Sequence, residues 1–277
     1  MTIRHPGTSA APAAPSQGIP AAIRPMLEDY LALVEQARPG LLAGLYLHGS
    51  IALGAFNERL SDIDFLALLS RPCAPEDIDV LRSIHGDIGR RYRPWPMEGS
   101  YLQWPDVGAL DGLLPEHPHL HNGRLALDRT QDAGDVTWWI TWLLLRERGI
   151  ALAGPPAPTL PIDIAWEPLL ERMRHNLAAY WGGFLSRPPR MAWLLSDYGV
   201  QWVVLGALRQ FYSLRERAIT SKDGAGSYGL ARLPPRFHPV IEEALAIRAG
   251  TNRRRGGRLR RAIAARRLLG AVIEACR

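Results

Sequence analysis

Two aspartates separated by one residue, Asp62 and Asp64, stand at the head of the apolar run IDFLALL, with eleven residues between them and the dipeptide Gly49-Ser50. In an extended segment side chains alternate faces, so the two acids share one face while Ile63 and Phe65 point into a core. Carboxylates that close repel one another unless a cation lies between them, and hard oxygen ligands select Mg²⁺ or Mn²⁺. Gly49 lets backbone approach a bulky group, and Ser50 adds a hydroxyl beside exposed backbone N–H groups, a combination that suits a triphosphate. Ser61, directly before the acids, is a third nucleotide-binding candidate. Gly-Ser alone is a turn and D-x-D alone a solvated pair. The order strand, Gly-Ser, D-x-D, strand points instead to a metal–phosphate site.

That order resembles the signature of the nucleotidyltransferase superfamily, a Gly-Ser turn followed by a strand with a metal-binding Asp pair. A third carboxylate has a place in such chemistry. Glu98 lies in PWPMEGSYLQW, whose middle reads as another strand. A positioned Glu can take the proton of an attacking alcohol, a role typically worth ~10² to 10⁴ in rate; an exposed strand Glu is the alternative.

The elements that must position these residues can be read in order. Apolar spacing predicts a helix from about Pro20 to Ala37, stopped by Arg38-Pro39-Gly40, then a strand from about Leu42 to Leu47. A helix opens at Pro75 and runs to about Arg91. Residues 105–124 read as loop, with His117, His119 and His121 on a solvent-facing or substrate-rim segment rather than a zinc site, since Pro115 and Pro118 interrupt it and no fourth ligand is evident. A tryptophan-rich helix is expected from about Ala133 to Arg148. A short strand and a Pro-rich linker follow, with a domain boundary near residue 155. Beyond it all is helical, at about 165–184, 192–217, 222–231, 236–249 and 256–275. The expected fold class is α+β: a disordered tail over 1–19, a mixed-sheet nucleotidyltransferase domain over 20–155, and an all-α helical bundle over 156–277 with a basic C-terminal helix.

Composition sets the remaining bounds. The 277 residues are 47% hydrophobic, enough for proper cores. No apolar signal sequence is visible, and the most apolar segment, WWITWLLL, is bounded by Asp135 and Arg146, so no membrane partner is expected. Cys73 and Cys276 are expected as free thiols in a cytoplasmic protein, with a monomer the default. The net charge of +6 is uneven: residues 251–277 hold nine arginines against one glutamate, while the rest holds 24 basic and 26 acidic residues. Such a tail can bind nucleic acid. Leu259, Ile263, Leu268, Leu269 and Val272 sit near helical spacing between the arginines, and an amphipathic terminal helix is the preferred reading. Lys222 is the sole lysine among the 33 basic residues.

In the second half, VVLGALRQFYS (203–213) and ITSKDGAGSYGLARLP (219–234) resemble the aminoglycoside nucleotidyltransferases of the streptomycin/spectinomycin adenylyltransferase type, and the likeness extends from about 41 to 250 through GIALAGP. It implies transfer of AMP from ATP to a hydroxyl of an aminoglycoside-like small molecule, with Mg²⁺ on Asp62 and Asp64 and Glu98 as base. It also implies triphosphate contacts from Arg209 and Lys222. The sole lysine thus falls on a functional position. The family's acidic and aromatic drug contacts align instead with Gly199 and Trp202, so Asp197 and Trp193 are the nearby substitutes. For an aromatic after the Glu strand, Trp104 or Trp139 would serve. Another small molecule, a protein side chain or RNA remains open as the acceptor.

Overall fold

The computed structural model describes residues 18–110, 114–128, 136–251 and 257–277. All but the last two residues of the tail expected over 1–19 lie outside the described residues, as do the start of the tryptophan-rich segment and Arg253 to Arg255. The chain falls into two compact units, one drawn from Met1–Gln131 with Thr141–Asp163, the other from Asp132–Ile140 with Ile164–Arg277.

The first unit is built on a six-stranded mixed sheet. A 3-10 turn, Ala21–Ile23, leads into α1 (Arg24–Ala37), and β1 (Leu42–Leu47), a single turn α2 (Gly49–Ala52), β2 (Ile63–Leu69), α3 (Pro75–Arg91) and β3 (Met97–Gln103) follow. Then come β4 (His117–His121), β5 (Arg124–Asp128), α4 (Thr137–Arg148), inside which the division between the units falls, and β6 (Ile150–Ala153). The strand order is β5-β4-β3-β2-β1-β6. Only β2 and β3 run parallel, with α3 as the crossover that parallel neighbours require.

Local chemistry explains where α3 starts. Pro75 occupies the first turn, where no backbone N–H is needed, and the Asp77 carboxylate accepts the Ala74 N–H at 2.9 Å. Arg71 and Arg38 also reach that carboxylate, and the Arg71 guanidinium above all holds it far below the usual carboxylate range.

Period-two alternation sorts the strands into two faces. Leu45, Leu47, Ile63, Phe65, Ala67, Met97 and Tyr101 join Met26, Leu27 and Tyr30 of α1 and Leu81, Ile84 and Ile88 of α3 in one core. Asp64, Glu98 and Ser100 have the opposite parity. The loop expected over 105–124 is corrected: its second half is strand β4, joined to β5 by the tight turn Asn122-Gly123, with φ positive at both residues. Asp62 lies one residue ahead of β2.

Within this core His85 Nε2 lies 2.5 Å from the Tyr101 hydroxyl, which in turn is 2.6 Å from that of Tyr30. Burial pushes the His85 imidazole down to about 4. The unfolded chain therefore takes up the proton first. The histidine's contribution to stability is complete above pH ~6.5 and is lost as pH falls toward about 4, at ~1.4 kcal/mol per pH unit. Denaturant midpoints should fall steadily from pH 7 to pH 5, and His85→Gln should flatten that decline.

The second unit is helical: α5 (Trp166–Asn176), a π-helical turn Leu177–Trp181, α6 (Gly183–Ser186), α7 (Pro188–Trp193), α8 (Asp197–Glu216), α9 (Lys222–Arg232), α10 (His238–Arg248) and α11 (Arg258–Ala275). The helix expected over 192–217 is two, because Ser196 Oγ accepts the Gly199 N–H and so starts α8 afresh. The long α8 is the axis of the unit. Val200, Val203, Val204, Leu208 and Phe211 share a core with Val240 and Ile241 of α10 and Ala265, Leu268, Leu269 and Val272 of α11. Of the five apolar positions read as one face of the terminal helix, Leu268, Leu269 and Val272 lie in this core, whereas Leu259 and Ile263 are exposed.

Candidate active site

The parallel pairing of β2 with β3 sets the centre of the site. Asp64 and Glu98 are direct register partners, so their side chains lie next to each other on the face away from α1 and α3. Asp62, two residues before Asp64, lies just ahead of the strand. The backbone of Asp64 is fixed by the ladder and by the His48 N–H, which donates to its carbonyl at 3.1 Å.

The turn after β1 is moulded against these acids. Gly49 has φ +59, and a Cβ there would lie 1.7 Å from Asp64 Oδ2. Only glycine allows both the left-handed conformation and the close approach. Ser50 Oγ is buried and has no hydrogen-bond partner among the described residues. A buried hydroxyl without a partner costs free energy, and a phosphate oxygen is an acceptor that would satisfy it. Ser61 is buried too, but its Oγ accepts the Asn57 N–H at 3.0 Å and closes the loop before Asp62. Burial pushes the His48 imidazole down to about 4, so it is neutral at pH 7.

The donor set suits a hard divalent cation. Among the described residues no three His, Cys, Asp or Glu side chains form a complete metal site. A Mg²⁺-type seat takes one or two carboxylates and completes its shell with waters and substrate phosphates.

Glu98 is held from the other side by the hairpin that sequence reasoning read as loop. Its Oε1 accepts the Asn122 N–H at 3.4 Å, and its Oε2 lies 3.3 Å from His121 Nδ1. The signal for this hairpin was present in Asn122-Gly123, the dipeptide that favours a two-residue turn. His119 Nδ1 is 2.8 Å from Ser100 Oγ on the same face, and the His119 and His121 rings stack with centroids 6.2 Å apart.

Arg209 and Lys222 come together in the second unit. They line a cavity of about 100 Å³ with Trp181, Trp202, Gln210 and Ser213. Arg209 Nε donates to the Thr220 carbonyl at 3.1 Å, and the Lys222 ammonium sits 5.1 Å from the centre of the Trp202 ring. Trp202 Nε1 and Gln210 Oε1 are buried and lack hydrogen-bond partners among the described residues, a donor and an acceptor on one cavity wall.

The three candidates for binding a drug are placed differently. Trp104 opens a 3-10 turn after β3 and is half-buried. Trp193 stacks on Phe184 with centroids 5.8 Å apart, in an aromatic group with Tyr198 and Trp202. Asp197 is ion-paired at 2.6 Å to Arg261, a buried residue of α11. At Gly199 a Cβ would lie 2.2 Å from the Trp193 carbonyl oxygen, which leaves no room for an acidic side chain.

Residues 193–267 match the model of the aminoglycoside adenylyltransferase C-terminal domain. An aminoglycoside (3'') (9) adenylyltransferase of Klebsiella pneumoniae is 25% identical, covering 82% of this chain and 86% of its own. A spectinomycin 9-adenylyltransferase of Campylobacter jejuni is 23% identical, covering 79% and 82%. The solved spectinomycin adenyltransferase of Enterococcus faecialis, with ATP and spectinomycin, shares the fold at a TM-score of 0.64 and 14% identity, over 90% of this chain and 98% of its own. The chain is thus similar, over most of its length, to aminoglycoside adenylyltransferases of the streptomycin/spectinomycin type.

Proposed function

We propose that the protein transfers AMP from ATP to a hydroxyl of an aminoglycoside-type antibiotic in a Mg²⁺-dependent reaction, and so confers resistance. The observation that carries this reading is the pairing of Asp64 with Glu98 beside a glycine turn pressed against the Asp64 carboxylate. Asp62 and Asp64 would hold the cation, which supplies charge stabilisation at the phosphates when bound. Gly49 and Ser50 seat the phosphates. Glu98 takes the proton of the acceptor hydroxyl as its oxygen bonds to the α-phosphorus. The bond from that phosphorus to the bridging oxygen breaks and pyrophosphate leaves, its charge met by Arg209 and Lys222. ATP is plentiful in the cytoplasm, the expected setting; among the described residues no helix is long and apolar enough to cross a membrane.

A second reading keeps the chemistry and changes the acceptor. It is favoured by the drug-side positions: Gly199 excludes an acid, and Asp197 is engaged by Arg261. One assay separates the two. Pyrophosphate release from ATP and Mg²⁺ is measured with streptomycin, spectinomycin and a wider aminoglycoside panel, beside Glu98→Gln. Release that needs one drug and disappears in the variant supports the first reading. Silence with every drug, together with ATP binding that needs Asp64, favours the second.

A further inference from the structure

The β4–β5 hairpin does more than continue the sheet. In the β3–β4 register Ser100 faces His119 and Gly99 faces Leu120, so one step further His121 falls opposite Glu98. The turn then closes through the pair His121 and Arg124 around Asn122-Gly123, whose φ values of +50 and +71 are those of a tight hairpin turn. This brings a nitrogen to each oxygen of one carboxylate: the Asn122 N–H donates to Oε1 at 3.4 Å, and His121 Nδ1 lies 3.3 Å from Oε2. The Glu98 side chain is 24% exposed, and that of His121 is 61% exposed.

We propose that His121 is a positioning residue for the base: with the Asn122 N–H it clamps the Glu98 carboxylate and presents it to the acceptor hydroxyl in one orientation. The proposal rests on the reading of Glu98 as base. It requires a proton on His121 Nδ1, because an ionised carboxylate can only accept. His121 makes and breaks no bond itself; the acceptor's proton still goes to Glu98. The groups around the imidazole are Glu98 on β3, His119 stacked beside it on β4, and Arg124 opposite on β5. A misplacement of about 1 Å can cost ~10² in rate, so losing one of two holding contacts should cost about tenfold.

The test compares His121→Ala, His121→Asn and Glu98→Gln by pyrophosphate release with ATP, Mg²⁺ and streptomycin or spectinomycin. His121→Ala should lower kcat about tenfold while leaving KM for ATP within twofold. His121→Asn should recover most of the loss, because its amide N–H can stand where Nδ1–H stood. An Ala variant with the parent's kcat, or an Asn variant as poor as Ala, overturns the proposal. Should Glu98→Gln keep full activity, the base reading has failed, and the role of His121 with it. Should Glu98→Gln be inactive while His121→Ala is not, only the role of His121 has failed. A readout that needs no turnover is the ¹⁵N spectrum of His121. A proton on Nδ1 is expected in the parent; an imidazole protonated at Nε2 alone overturns the proposal even if no drug is turned over.

Discussion

Replacing Asp64 with asparagine should cut drug-dependent pyrophosphate release by roughly 10³-fold or more while leaving the fold intact. The substitution conserves shape and removes one charge. The backbone of Asp64 keeps its ladder partners and its bond from the His48 N–H, because neither involves the side chain. On the proposed function, the variant would lose half of the anionic seat for the cation, and a metal ion contributes several kcal/mol to transition-state charge stabilisation, with each 1.4 kcal/mol worth tenfold. Stability should stay level or rise, since Asp64 and Glu98 are like-charged register neighbours and the variant relieves their repulsion. Unchanged release in a folded Asp64→Asn protein would mean that the metal-dependent step does not use this pair.

Arg261→Ala should cost more stability than alanine at any other described arginine of the basic tail. The Arg261 side chain is only 2% exposed, and its Nη1 lies 2.6 Å from Asp197 and 3.1 Å from Glu243, which is 8% exposed. Removing one partner of a buried ion pair leaves uncompensated charge behind, at a typical cost of ~3–5 kcal/mol. At ~2–4 °C per kcal/mol for chains somewhat shorter than this one, Tm should fall by about 10 °C. Arg258→Ala, at the exposed start of the same helix, should stay within ~0.5 kcal/mol. Thermal scans of the two variants decide it. Equal midpoints would show that the arginines of α11 are solvated charges, and the tail would again be a candidate nucleic-acid surface.

The sequence was most legible where chemistry and punctuation are local. β1 and α3 have the bounds expected for them, since Arg38-Pro39-Gly40 and Pro75 mark their edges by fixed backbone preferences. The expectation that Asp62 and Asp64 share a face came from strand alternation alone, and β2 begins at Ile63, so only Asp64 lies on the strand. Their relation to Glu98 did not, because a parallel register across a helical crossover is set by packing between segments and not by spacing within one. The β4–β5 hairpin was hidden by composition: prolines and histidines are poor strand formers, and Pro118 argued against a strand. The engagement of Asp197 was equally invisible, since its partner Arg261 lies 64 residues further on in the chain. Gly199 was legible as a departure from the family, but its cause, the Trp193 carbonyl filling the space, needed the packing of α7 against the start of α8.

The single lysine has a practical consequence for labelling. Every other basic side chain apart from the histidines is a guanidinium, so a reagent that acylates primary amines meets one ε-amine in the whole sequence. That amine sits over the Trp202 ring in the cavity that also holds Arg209. Acylation at this side chain therefore registers as one mass increment on one tryptic peptide, and its rate with and without a bound molecule reports occupancy of the cavity directly, with no need for turnover.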